Sequence, residues 1–330
     1  MKRQVPPGEQ GAALLTVLLL VAVMGALAAA AFEKLRLSTA LAANSAALEQ
    51  ARAFATGIES LLTLRVDDIL AASPEKTTLM GGWNGAERQI PLPGGGIARA
   101  TVRDGGNCFN INSLGEGDIP TALAPRPSGI AQFVGLMRAL EIPEGSARRV
   151  AEAAGDWIDG DDVPSQQGAE DSAYAEREQP YRTGNTLFAD VSELRALSGM
   201  TAEIYERVRP FLCALPAAEL SPINVNTLTP EQAPLIAMLA PDQISLDAAR
   251  QVIASRPVAG WSDLGEFYRT PGLAEVQIPG DILGQPQVKT SWFRIDLRIA
   301  LREAELQESA LVDARQGGAR IVARTWGEVD

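Results

Sequence analysis

The chain has 330 residues, 29 Lys+Arg against 41 Asp+Glu, a formal net charge of −12, and no histidine at all. Without histidine, Ser-His-Asp and Cys-His catalysis and histidine-ligated zinc are excluded, and two cysteines 105 positions apart (Cys108, Cys213) form no C-x-x-C site. The acidic balance disfavours nucleic acid, because phosphate binding needs a basic surface. No enzyme is expected, and the length leaves room for a long helix and two folded parts.

The first element is the apolar run from Ala12 to Phe32, 21 residues without a charge. At 1.5 Å per residue it spans about 31 Å, the thickness of a hydrocarbon core. Lys2 and Arg3 precede it, which places the N-terminus in the cytoplasm and the remaining chain across the membrane, as a single-pass protein. A discarded signal peptide is the competing reading, because "ALAAAA" offers A-x-A cleavage sites. Two features oppose it. Glu9 and Gln10 stand almost against the apolar run, and from Glu33 to Ser73 there is no proline and only one glycine, Gly57. Leu41, Leu48, Ala55, Leu62 and Ile69 recur at seven-residue spacing, the stripe of an amphipathic helix continuous with the span.

A polar leader ending in glycine, "MKRQVPPGEQG", then a span fused to a long amphipathic helix, resembles the N-terminus of type IV prepilins and pseudopilins. That resemblance implies a prepilin peptidase as partner, cleavage of the Gly11–Ala12 bond and methylation of Ala12. With Lys2, Arg3 and Glu9 removed, the mature chain carries −13. Most of the family have glutamate at mature position five, where this chain has Thr16. A carboxylate in lipid is costly unless paired, and in pilins it is thought to pair with the neighbouring subunit's N-terminus. A subunit without it suits the end of a filament.

Past the stem, residues 73–96 are rich in turn formers and end the helix at or just before Pro74. "IARATVRDGGNCFNINSL" reads as a strand, a turn at Gly105–Gly106 and a second extended piece. A helical region follows from roughly 128 to 285, and strand character returns at 291–303, 305–314 and 319–326, with "RQGG" (315–318) as a hairpin turn. The expected fold is α+β: a long N-terminal helix packed on an antiparallel sheet, with an all-helical domain inserted between the strands. Three stretches of the insertion each read as helix, turn, helix. "FNINSL" (109–114) and "INVNTLTPEQ" (223–232) echo one another as turn-and-cap structure, with Thr229, Pro230 and Gln232 forming a helix start. The second echo looks like the helix-hairpin-helix segment of DNA-uptake and repair proteins. Its hairpin, "APDQIS", has no glycine to offer backbone N–H groups, and Asp242 would repel a phosphate.

The stretch "DWIDGDDVPSQQGAEDSAYAERE" (156–178) carries eight carboxylates and one arginine. As an EF-hand loop from Asp159 it matches at Asp161 and Glu170 but fails at Val163 and Pro164. Two readings stand on residues alone: a solvated acidic loop, or a hard-cation site using some of Asp159, Asp161, Asp162, Glu170 and Asp171. Cys108 and Cys213 are an even pair in an oxidising compartment, which favours a disulfide between them over two unrelated buried thiols.

"DWIDGDDVPSQQGAEDSAYAEREQPYRTGN", "ELRALSGM", "RPFLCALP" and "INVNT" are similar, in order and spacing, to the helical domain of the GspK family of type II secretion minor pseudopilins. With the pilin-like start and "CFNIN", the resemblance covers nearly the whole chain. It implies a leader (1–11), a membrane and stem helix (12–73), a pilin-like α/β domain (74–114 and 286–330) and an inserted helical domain (115–285). It further implies structural calcium in that domain, a place capping or initiating the pseudopilus tip, and other minor pseudopilins (GspI, GspJ and GspH-like subunits) as partners, with secreted substrates meeting its outer face.

Overall fold

A computed structural model of the protein describes residues 7–302 and 304–327. The first six residues of the expected leader, with Lys2 and Arg3, and Glu303 at the end of an expected strand lie outside the described residues. Helix α1 (Pro7–Ala72) runs unbroken for 66 residues and stops two residues before Pro74, whose ring cannot continue it. Its membrane segment is exposed throughout, and burial begins only at Ala47. From there Ala47, Ala51, Ala55, Ile58, Leu62, Val66 and Ile69 are buried, a three-and-four spacing that keeps one face on the sheet. Leu41 is a correction to the seven-residue stripe: it is 62% exposed, because it lies on the stem short of the sheet.

Strand β1 (Arg88–Leu92) and β2 (Gly96–Asp104) form a hairpin. The sequence hid β1 in a turn-rich stretch. Pro91 confines it to an edge, where a missing N–H is tolerated, and Gly94 and Gly95 supply the positive φ of 88° and 89° that the tight turn needs. The insertion then opens with β3 (Phe109–Asn110), a small hairpin of β4 (Gly115–Glu116) and β5 (Ala124–Pro125), and the helix pair α2 (Pro127–Ala139) and α3 (Glu144–Ile158). Helices α4 (Asp171–Ala175) and α5 (Ala202–Val208) lead to β6 (Leu212–Cys213), which pairs in parallel with β3. A second unit begins at β7 (Ile223–Asn224), continues through α6 (Ala233–Ala237), α7 (Leu246–Ala254) and α8 (Leu264–Tyr268), and closes at β8 (Pro286–Gln287), again in parallel. The chain then completes the sheet with β9 (Trp292–Leu301), β10 (Ala304–Asp313) and β11 (Arg320–Trp326). The antiparallel order is β1-β2-β9-β10-β11. This is the expected α+β architecture, and two of the three helix–turn–helix stretches are α pairs. The middle one enters α5 through a 3₁₀ turn (Val191–Ala196) capped by Asp190.

The two Asn-x-Asn echoes clamp these units. Asn110 donates to the carbonyls of Ala217 and Glu219, both at 2.9 Å, and accepts the Leu215 N–H at 3.0 Å. Asn112 donates to Phe188 and Leu215 and accepts the Phe188 N–H. In the second unit Asn224 donates to the Thr77 carbonyl and Thr290 hydroxyl, and Asn226 exchanges two bonds with Trp261. All four side chains are buried, so each amide replaces water for backbone groups that no ladder reaches. Phe109, Ile111 and Leu114 sit in the insertion's core, and β8 pairs inside it, which puts its edges near Asn107 and Gln287. Gln232 accepts the Thr229 N–H at 3.0 Å, making the helix start a 3₁₀ turn feeding α6.

Cys108 and Cys213 are disulfide-bonded beside the β3–β6 ladder, Cα–Cα 5.7 Å, across 105 residues. Replacing both with serine should cost the native state as much as about 4.7 kcal/mol, the chain-entropy value for a loop near 100 residues. Non-reducing mass mapping should find the linked peptides, and free labelling of both thiols without reductant would refute the bond.

On the sheet's inner face, Arg324 makes a two-point pair with Glu59 of α1 at 2.6 and 3.0 Å, while the buried Glu308 lies 3.7 Å from the same guanidinium. Burial, and then the neighbouring Glu59 carboxylate, push Glu308 up to about 8. Folded Glu308 therefore holds a proton that the unfolded chain releases near 4.5, so between those values stability falls as pH rises. Denaturant midpoints should drop from pH 6 to pH 9, and Glu308→Gln should flatten the profile; an unchanged slope would show that Glu308 does not titrate there.

Candidate metal centre

The acidic stretch begins inside α3. Its last turn carries Asp156, fully buried, and Asp159 follows as the C-cap, its N–H bonded to the Gly155 carbonyl. Spacing i, i+3 at a helix end sets both on one side. Trp157 and Ile158 between them are anchored in the core, and Trp157 packs edge-on against Tyr174 of α4 at 5.5 Å. That contact draws Glu170, the residue before α4, back over the end of α3. One carboxylate oxygen from each of Asp156, Asp159 and Glu170 lies within 4.8 Å of the others, and all three residues are buried.

Asp156 is held by Ser165, whose N–H and hydroxyl donate at 3.0 and 2.6 Å. Gly168 lets the loop pass so close that any Cβ there would run into the Asp156 carboxylate. Asp159 Oδ1 and both Glu170 oxygens have no hydrogen-bond partner among the described residues. Burial, then Asp161 and Asp156, push Asp159 up to about 7; burial, then Asp159, push Glu170 up to about 7; burial raises Asp156 as well. The negative end of the α3 dipole adds to the strain on Asp156 and Asp159. Buried unpaired carboxylates are costly, and a cation with oxygen ligands is one arrangement that relieves them. The three carboxylates, all oxygen and partly unsatisfied, fit a hard divalent ion.

Of the five carboxylates named from sequence, the structure brings Asp159 and Glu170 together. Asp161 caps the Val163 N–H at 2.8 Å, Asp162 is exposed, and Asp171 accepts from the Thr183 N–H and hydroxyl at 2.8 and 2.9 Å and faces Arg182. Asp156 is the member of the cluster that sequence reasoning missed. The Asp-x-x-Asp spacing across a helix end was its available signal. At the N-terminus, Gly11 and Ala12 lie within α1, and the Thr16 hydroxyl donates to the Ala13 carbonyl at 2.9 Å, so it needs no partner in lipid.

A long N-terminal helix, apolar enough to cross a membrane, laid on an antiparallel sheet with a helical insertion between its second and third strands defines a pilin-like protein. Sequence profiles described as type II secretion system (T2SS), protein K match residues 107–217 and 223–289. Type II secretion system protein K of Pectobacterium carotovorum subsp. carotovorum is 31% identical over 97% of both chains, and that of Klebsiella pneumoniae 34% over 97% of both. A chain in the crystal structure of the GspK-GspI-GspJ complex from enterotoxigenic Escherichia coli superposes with a TM-score of 0.73 at 30% identity, covering 85% of this chain and 96% of that one. The chain belongs to the type II secretion system protein K (GspK) family and is a minor pseudopilin of type II secretion.

A divalent cation bound only by the native triad should stabilise the protein by RT ln(1 + [M]/Kd), about 2.7 kcal/mol at a hundredfold excess over Kd. The melting temperature should fall in chelator and recover on adding calcium, and Asp159→Asn with Glu170→Gln should erase the difference. An identical melting curve with and without chelator would leave the triad metal-free.

Proposed function

We propose that this chain is a non-enzymatic subunit at the tip of the type II secretion pseudopilus, where it caps or initiates the filament. The observation that carries this is the insertion, which leaves the sheet after β2 and returns at β9. Two helical units added to one end of a pilin-like body would obstruct the next subunit in a helical stack, but not at the end of one. Thr16 supports the same position. Its hydroxyl is satisfied inside α1, so it asks nothing of a subunit above, unlike a carboxylate in lipid. Partners corresponding to the GspI and GspJ of the similar complex, and a GspH-like subunit, would adjoin it, and its outer surface would face secreted substrates.

In this reading α1 anchors the chain in the inner membrane with the N-terminus cytoplasmic and the folded part periplasmic. A prepilin peptidase cuts the Gly11–Ala12 bond and methylates Ala12. The triad Asp156, Asp159 and Glu170 holds calcium, which fastens the 159–170 loop to the end of α3. Nothing in the α6–α7 hairpin favours DNA uptake: the turn has no glycine, and Asp242 pairs with Arg138 of α2 at 3.0 Å.

Intact mass of the purified protein tests the processing. A mature chain beginning with methylated Ala12 is expected, and Gly11→Val should retain the leader because a larger side chain would not enter the cleavage subsite. A start near Ala29 would mean a discarded signal peptide and end the pseudopilus reading for this chain.

A further inference from the structure

Helix α1 covers one face of the five-stranded sheet, and the side chains of the other face are exposed or half-buried. On two adjacent inner strands that face carries Arg99 and Arg103 of β2 and Arg294 and Arg298 of β9. The register sets Arg99 opposite Arg298 and Arg103 opposite Arg294. Like charges directly opposite weaken a ladder, and here two such pairs occur in a chain of net charge −12. The carboxylates nearby do not balance them. Asp296 accepts from Arg294 at 2.8 Å and lies 3.6 Å from Arg103, while Glu87 lies 3.7 Å from Arg99. Among the described residues, Arg298 reaches only the Gln307 amide oxygen, at 3.5 Å. Among the described residues, four guanidiniums against Asp296 and Glu87 leave a surplus of two positive charges around a cleft of about 410 Å³, whose third lining carboxylate, Glu308, faces Arg324 on the inner side of the sheet.

We propose that this face docks an acidic polypeptide segment of another protein, whose carboxylates pair with the two arginine rows. Guanidinium forks pair with carboxylates in two-point geometry, and most of the donors on these four side chains are unspent. The rows are four residues apart, about 13 Å along a strand. That is too far for one small anion to bridge, but it matches an extended segment with acidic residues at i and i+4. A nucleic acid would meet the same two charges and be repelled by the rest of the chain.

The test uses the full chain in detergent and a fluorescent twelve-residue peptide of serine and threonine with glutamate at every fourth position. The peptide should bind, more weakly as salt rises, and its glutamine counterpart should not. Arg294→Glu with Arg298→Glu places a carboxylate opposite each remaining arginine, so the melting temperature should hold or rise while binding falls by about tenfold or more. That opposition separates docking from folding. Several outcomes would overturn the proposal: no binding of the glutamate peptide, equal binding by the variant, or binding of the glutamine peptide. So would displacement by millimolar inorganic phosphate, which would make the face a general anion site. Self-association of the parent chain that the variant loses would make the occupant a second copy.

Discussion

The pairing of β2 with β9 is the constraint on which the rest of the structure depends. Its register runs from Gly96 opposite Leu301 to Asp104 opposite Phe293, so everything between Asp104 and Phe293 must leave and re-enter the sheet at one end. A long excursion closed at its base loses much conformational entropy, and the return must be fixed by contacts made there. Asp104 accepts from the hydroxyls of Thr227 and Thr290 at 2.6 and 2.5 Å, and Asn107 bonds to Thr227 and to the Asn224 N–H. The strand that exits, the second unit and the strand that returns therefore meet in one buried polar knot. Burial lifts Asp104 to about 6 even though both hydroxyls favour its charged form. Such a knot is worth having only when every member is satisfied, and here the partners are complete enough to fix one orientation.

The same logic repeats in each unit of the insertion. A two-residue parallel ladder is too short to be stable alone. The asparagines that follow each opening strand supply the missing bonds, and the Cys108–Cys213 disulfide adds a covalent closure to the first unit. The acidic triad lies in the first unit, where the end of α3 and the start of α4 are pressed together by Trp157 and Tyr174. Aromatic packing thus forces three carboxylates into one dry place. Helix propensity and loop sequence alone would have left them spread through solvent.

Some of this was written in the order of the residues. The 21-residue uncharged run, the glycine at position 11 and the threonine at position 16 are local facts, and they carry the expectation of a membrane helix and the resemblance to a pilin-like start. Alternation along Arg294, Ile295, Asp296, Leu297, Arg298 and Ile299 fixes a half-buried strand, because a period of two admits one solvated face. The helical insertion and the two Asn-x-Asn echoes were legible for the same reason: caps and turns are set by neighbours in sequence.

The tertiary structure decided what depends on residues far apart. It chose Asp156, Asp159 and Glu170 out of eight carboxylates, because only burial around Trp157 distinguishes a converging acid from a solvated one. It recovered β1 from a turn-rich stretch, since an edge strand with Pro91 is visible only once β2 offers it a partner. It left Leu41 in solvent and buried Ala47 and Ala51, because how far along α1 the contact with the sheet runs follows from the sheet's position and not from the helix. Sequence determined the elements and their chemistry through short-range preference; only the packing of distant segments determined which of those groups lost their water.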